Sequence, residues 1–130
     1  MNLINCFPQG KKQALTFSYD DGTIHDRRLV EIFNRYGMKA TFNLNSGLTD
    51  AENRVPLREY AELYKGHEIA CHGLTHQNYP RIPAVQTMEE ILRDRENLEK
   101  AYERPVRGLA YPNGRYDEES IRLLRSLGIV

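Results

Sequence analysis

Cysteine is scarce. Cys6 and Cys71 are the only two in the 130-residue chain, and neither belongs to a Cys-x-x-Cys pair. They give no disulfide framework, so a reducing compartment fits best, and both read as small apolar fillers. Net charge is also missing, because eighteen basic residues are cancelled by eighteen acidic ones. No field therefore points to nucleic acid or to an anionic membrane, and any substrate must be recognised locally. Nor does any apolar run read as a membrane span or a signal peptide. In the opening "MNLINCFPQGKK" the charges follow a short apolar patch instead of preceding it. As given, the chain reads as cytoplasmic. No repeat, linker or low-complexity tract divides residues 1–130, which read as one domain long enough to bury a core.

What the chain does have is an alternation of strand and helix signals. "QALTFSY" (Gln13–Tyr19) has strand composition. In the following "HDRRLVEIFNRYG", Leu29, Ile32, Phe33 and Tyr36 recur at helical spacing, and Gly37 is the stop. "KATFNLN" (Lys39–Asn45) predicts a second strand. Pro56 opens a short helix that ends at Gly66, with Leu57, Tyr60, Ala61 and Tyr64 on one face. "HEIAC" (His67–Cys71) predicts a third strand. "TMEE" then reads as a capping box in which Thr87 and Glu90 open a helix carrying Ile91, Leu92, Arg95, Leu98 and Tyr102, halted at Arg104-Pro105. "VRGLAYP" predicts a fourth strand, and Asp117 caps a last helix with Ile121, Leu124 and Leu127 inward, closed by Gly128.

Four β–α alternations argue for an α/β fold with parallel strands and helical crossovers. Gly128-Ile129-Val130 reads as the first step of a fifth strand. A sheet stopping there would leave an edge unpaired. The expectation is either a piece of a longer protein or a chain that completes itself by pairing with a copy through that edge.

Parallel α/β folds place working groups at the carboxyl ends of strands. "TFSYDDG" (Thr16–Gly22) sets Asp20 and Asp21 side by side just past the first strand. Two carboxylates this close resist joint ionisation unless a cation or a shared proton intervenes. Beyond the third strand, "HGLTH" holds His72 and His76 four residues apart, a spacing that lets two imidazoles grip one borderline metal. Asp21 or Asp20 can supply the third ligand, leaving a position open for water. The other aspartate can then take a proton from that water, whose pKa a metal lowers toward ~7. Each piece alone reads as a turn or a surface pair; together, after consecutive strands, they read as a metal site. His67, at a strand start, reads as structural, and His25 as a helix-start surface residue.

"TFSYDDG", "GHEIACHGLTH" and "GLAYPNGRYDE", in that order, resemble three motifs of the polysaccharide deacetylases, the NodB-homology domain of carbohydrate esterase family 4. The likeness runs from about residue 13 to the end. It implies a distorted (β/α) barrel, incomplete at its carboxyl end, and hydrolysis of N-acetyl, sometimes O-acetyl, groups from an acetylated carbohydrate. It implies that Asp20 is the general base and that Asp21, His72 and His76 bind a divalent metal, commonly zinc, with cobalt or iron as other occupants. It further implies that an N–H near Asn113 helps stabilise the oxyanion, and that Tyr111 and Pro112 wall the substrate groove.

Two departures stand out. The family's third motif often carries an arginine that orients the base, and Ala110 occupies that place here. The family's histidine that protonates the leaving amine should lie beyond Val130, since none of the four histidines stands in its position. A NodB-like amidase acting on a small amide, and a non-catalytic metal- or glycan-binding module, are the competing readings.

Overall fold

The computed structural model describes residues 6–129. Within them lies one parallel sheet in the order β1 (Ser18–Asp20), β2 (Thr41–Leu44), β3 (Glu68–Cys71). Asp20 stands in register with Asn43, and Leu44 with Cys71. Four α-helices accompany the sheet: α1 (Asp26–Arg35), α2 (Tyr60–Leu63, led in by a 3-10 turn), α3 (Ala84–Tyr102) and α4 (Glu118–Ser126). The fold is α/β, as the alternation predicts. No helix among the described residues is long and apolar enough to cross a membrane.

Strands β2 and β3 are sealed on both faces over most of their length. Phe42, Leu44 and Cys71 are completely buried, packed with Val30 and Phe33 of α1, Tyr60 of α2, Tyr64 just after it, and Leu98 of α3. A second cluster joins Tyr79, Ile91, Leu124 and Ile129. Helix α1 ends as its glycine predicts: Gly37 takes φ +64°, and Met38 N–H reaches back to the Phe33 carbonyl at 2.8 Å.

Several elements differ from expectation. The first strand is shorter than Gln13–Tyr19, because only its last residues find a partner in β2. The segment Val106–Pro112 forms a single parallel bridge, Cys71 to Leu109, instead of a strand. The Thr87–Glu90 capping box does not form. Helix α3 starts four residues earlier, with Pro83 and not Thr87 at its N-cap, which leaves Thr87 buried inside it and sends the Glu90 carboxylate to Thr75. The predicted stripes shift accordingly. Leu92 and Tyr36 are exposed, while Asp94 and Val30 are buried, and Ala61 faces outward beside buried Tyr60 and Tyr64. Cys6 is exposed, so only Cys71 fills core space.

Gly128 and Ile129 do not start a strand. Their N–H groups turn back onto the carbonyls of Arg125 and Leu124, each at 3.1 Å, and close α4. That helix does begin at Asp117, whose side chain accepts from Ser120 N–H at 2.8 Å. The opening patch at 1–5 and Val130 lie outside the described residues.

Candidate metal centre

The three strands deliver their chemistry to one end. Asp20 is the last residue of β1 and Asp21 the first beyond it; His72 directly follows β3. One oxygen or nitrogen from each of Asp21, His72 and His76 comes together, all within 4.8 Å of one another. The His72 and His76 ring centroids are 4.8 Å apart, and His76 Nε2 lies 3.7 Å from Asp21 Oδ1.

Each of these residues is aimed by its surroundings. His72 Nδ1 is 2.9 Å from the Ala110 carbonyl, which can only accept. The proton therefore sits on Nδ1, and Nε2 keeps its lone pair for the cluster. His76 is held below the ordinary histidine value, chiefly by burial and then by the electrostatic influence of the adjacent His72 ring. Its ring is thus biased toward the neutral form that ligates a metal. Asp21 Oδ1 is buried and makes no hydrogen bond, although Arg54 Nη1 stands 3.3 Å away. Arg54 offsets its charge without a hydrogen bond, so this acceptor-only oxygen keeps lone pairs free for a metal cation.

Asp21 and His76 also carry positive φ angles, +80° and +62°. Non-glycine residues held in that sparsely populated region store about 1–3 kcal/mol each, and such positions cluster at functional sites. Between the two histidines, Gly73 takes φ +78°, and a Cβ there would sit 2.9 Å from the Tyr79 hydroxyl and 3.2 Å from Pro112. The His-Gly pair is thereby required for this loop to close over the Pro112 segment. The donor set fits a divalent cation of the zinc class: two imidazoles and a carboxylate, one of them with a buried unsatisfied oxygen.

Asp20 stands apart from the three. Its side chain is half exposed, with Oδ2 3.8 Å from His72 Nε2. Its other oxygen, Oδ1, accepts from Asn43 Nδ2 at 2.7 Å, and the same amide reaches Ser18 Oγ at 2.9 Å. Asn43, 3 % exposed, thus orients Asp20 where Ala110 offers no side-chain donor. Tyr111, Pro112 and Asn113 follow the Ala110 carbonyl that fixes His72. Pro112 is buried, Asn113 is exposed with φ +57°, and Tyr111 packs on Tyr116 at 5.1 Å between ring centroids. The N–H groups of Gly114 and Arg115 are already donated to the Tyr111 and Pro112 carbonyls.

The remaining histidines lie elsewhere in the fold. His25 caps α1 on the surface. His67 is buried at the opposite end of β3, where Nδ1 accepts from Ala40 N–H at 3.3 Å and the ring packs on Phe42.

Sequence reasoning missed Asn43 and Arg54. Asn43 was detectable, since an amide inside "TFNLN" is out of place in a strand sealed on both faces. Arg54 had no signal. It arrives because residues 53–55 pair with Gly22–Ile24, which brings its guanidinium onto the Asp21 backbone carbonyl.

The family model described as polysaccharide deacetylase matches residues 8–130, and the chain belongs to that family. It is 21% identical over 119 residues to YxkH of Bacillus subtilis (strain 168), a protein named as an inferred polysaccharide deacetylase; the match takes in 90% of this chain and 43% of that one. Among solved structures, the Streptococcus pyogenes deacetylase PplD, in complex with acetate, superposes with a TM-score of 0.88 at 23% identity, over 96% of this chain and 56% of that one. A family 4 pseudoenzyme from Bacillus anthracis superposes with a TM-score of 0.71 at 20% identity, over 88% and 41%. The chain spans about half the length of the relatives it matches.

Proposed function

We propose that the protein removes acetyl groups from a carbohydrate by hydrolysis, at a site where Asp21, His72 and His76 hold a divalent cation and Asp20 is the base. The supporting observation is the division between the neighbouring aspartates. Asp21 turns a buried, unbonded oxygen toward two imidazoles, while Asp20 remains open to solvent and is steadied by Asn43. In this reading, the three-stranded sheet belongs to a distorted (β/α) barrel, and residues 1–130 are a single polysaccharide deacetylase-like domain, of which the family model matches 8–130.

When bound, the cation supplies Lewis acidity toward water and toward the acyl oxygen; zinc suits the donor set, and cobalt or iron can replace it. The chain supplies the rest. Asp20 Oδ2 accepts a proton from the attacking water as its oxygen bonds to the acyl carbon. Asn43 keeps Oδ1 occupied, so Oδ2 is the oxygen offered. Tyr111 lines one wall for the sugar, buried Pro112 backs that wall from beneath Gly73, and the Asn113 N–H donates to the developing oxyanion. Collapse breaks the bond to the leaving group, giving acetate and, from an N-acetyl sugar, an amine that must gain a proton. Neither His25 nor His67 is placed to give it.

The existence of a family pseudoenzyme with this fold favours one competing reading, a module that binds metal or glycan without turnover. One experiment separates the two. Metal content is measured on purified protein and on His72→Ala, together with acetate release from N-acetylated oligosaccharides. About one zinc per chain, lost in the variant, with acetate released, supports hydrolysis. Zinc without acetate release supports the binding module, and no zinc after metal addition overturns the site.

A further inference from the structure

Helix α3 carries two buried carboxylates whose purpose the proposed chemistry leaves open. Glu90 and Asp94 are 6 % and 0 % exposed and stand one helical turn apart on the same face. Neither has a lysine, arginine or histidine within ion-pair distance among the described residues. Burying a carboxylate without a cation is expensive unless donors are fixed around it, and an apolar side chain would pack there more cheaply.

The donors come from the loop that bears the two imidazoles. Glu90 Oε2 accepts from Thr75 N–H at 2.8 Å, and Oε1 accepts from the Thr75 hydroxyl at 2.7 Å. The Glu90 backbone carbonyl accepts from Leu74 N–H at 3.2 Å. Asp94 Oδ2 accepts from His72 N–H at 3.1 Å, a bond shared with the Leu44 carbonyl at 2.9 Å. Asp94 Oδ1 accepts from Ser46 N–H at 2.8 Å, tying in the loop after β2. Every residue from His72 to Thr75 except Gly73 is thus hydrogen-bonded to one helical turn of α3. Gly73 is pinned from the other side, its carbonyl accepting from Asn45 Nδ2 at 2.7 Å.

We propose that Glu90 and Asp94 are positioning residues for the metal centre, a two-point clamp through which α3 sets the backbone of residues 72–76 and so the separation of the His72 and His76 rings. The inference rests on the metal-binding reading above. It explains why His76 can be held at positive φ: Thr75, the residue before it, is fixed through both its amide and its hydroxyl. It also explains why these two positions carry acids and not the leucines that helix packing alone would favour. Outer partners that orient metal ligands typically matter by 10–100-fold in metal affinity.

The test measures the zinc dissociation constant of the full chain, by competition with a chromophoric chelator, for wild type, Glu90→Gln, Asp94→Asn and Thr75→Val. Amide hydrogen exchange is followed in the zinc-free proteins. Thr75 is exposed, so Thr75→Val removes the hydroxyl bond to Glu90 Oε1 while keeping the backbone N–H bond to Oε2. It weakens one end of the clamp without disturbing α3 packing and remains informative if a buried substitution fails to fold. The expected result is zinc binding weakened about 10–100-fold in the two acid variants and several-fold in Thr75→Val. Exchange should quicken at His72 and Thr75 while amides of β2 stay protected, a local change that general destabilisation would not give. Folded variants with wild-type zinc affinity and unchanged exchange at those two amides overturn the clamp while leaving the metal site standing. A wild-type protein that binds no zinc overturns the metal-binding reading, and the clamp's role with it.

Discussion

Asn43 donates to Asp20 across a register pair of β1 and β2, with Nδ2 2.7 Å from Oδ1. A hydrogen bond to a charged group is worth about 1.5–3 kcal/mol, and this one selects which carboxylate oxygen faces the site. Asn43→Ala should therefore lower kcat for acetyl release by on the order of 10- to 100-fold. Substrate KM and zinc content should stay near wild type, because Asn43 lies outside the three-donor cluster. Steady-state kinetics beside metal analysis would check this; a parallel loss of zinc would mean that Asn43 supports the fold of the site and not the aim of the base.

A stability prediction concerns the start of α1. Tyr64, wholly buried, donates its hydroxyl to Asp26 Oδ2 at 2.8 Å, and Asp26 is itself 3 % exposed at the start of α1. Burial already raises the Asp26 carboxyl above its ordinary value, against the hydroxyl's opposing effect. Tyr64→Phe leaves the ring's packing on Phe42 in place and strands the carboxylate. The expected cost is about 1–3 kcal/mol, read from chemical denaturation at neutral pH. The deficit should shrink in acid, where the carboxyl protonates.

Much of this architecture is legible in the residues, and the failures share a cause. Strands β2 and β3 and helices α1 and α4 follow from apolar spacing, Gly37 and Asp117. The aspartate pair and the two histidines follow from the rule that parallel strands present chemistry at their carboxyl ends. The errors fall where a polar side chain serves a partner distant in sequence. Glu90 looks like the closing residue of a capping box, three after Thr87, because the local pattern fits, yet its partner is Thr75, fifteen residues upstream. Asp94 falls outside an apolar stripe for the same reason, and Arg54 reaches Asp21 only through loop pairing. Local periodicity records which face is buried, but not which buried groups are polar by design.

Asp94 also carries a pH signature. Burial, the largest effect, pushes its carboxyl up to about 6 from an ordinary 3.8, against the opposing bonds from Ser46 and His72. The folded chain then holds more protons than the unfolded chain between those two values. This group's contribution is therefore fully present below pH 3.8 and is lost as pH rises toward 6. Relative to Asp94→Asn, the wild-type unfolding free energy should fall by roughly 3 kcal/mol across that window. Urea titrations of both proteins at several pH values measure the difference, and a flat difference would mean that the carboxylate is already stabilised as an anion in the fold.

The sharpest division to test is the one between the two neighbouring aspartates. Asp20→Asn preserves shape, and its carbonyl oxygen can still accept from Asn43, but it removes the group that takes the proton. Acetyl release should drop by roughly 10²–10⁴-fold. Zinc stoichiometry should hold, because the cluster of Asp21, His72 and His76 does not include Asp20. Asp21→Asn should behave in the opposite order, losing zinc first and activity as a consequence. Metal analysis and acetate release on the two variants side by side give a crossed pattern if the roles are as assigned. Zinc lost equally in both would make the pair a shared ligand, and the base would have to be sought among the groups around the Tyr111–Asn113 turn.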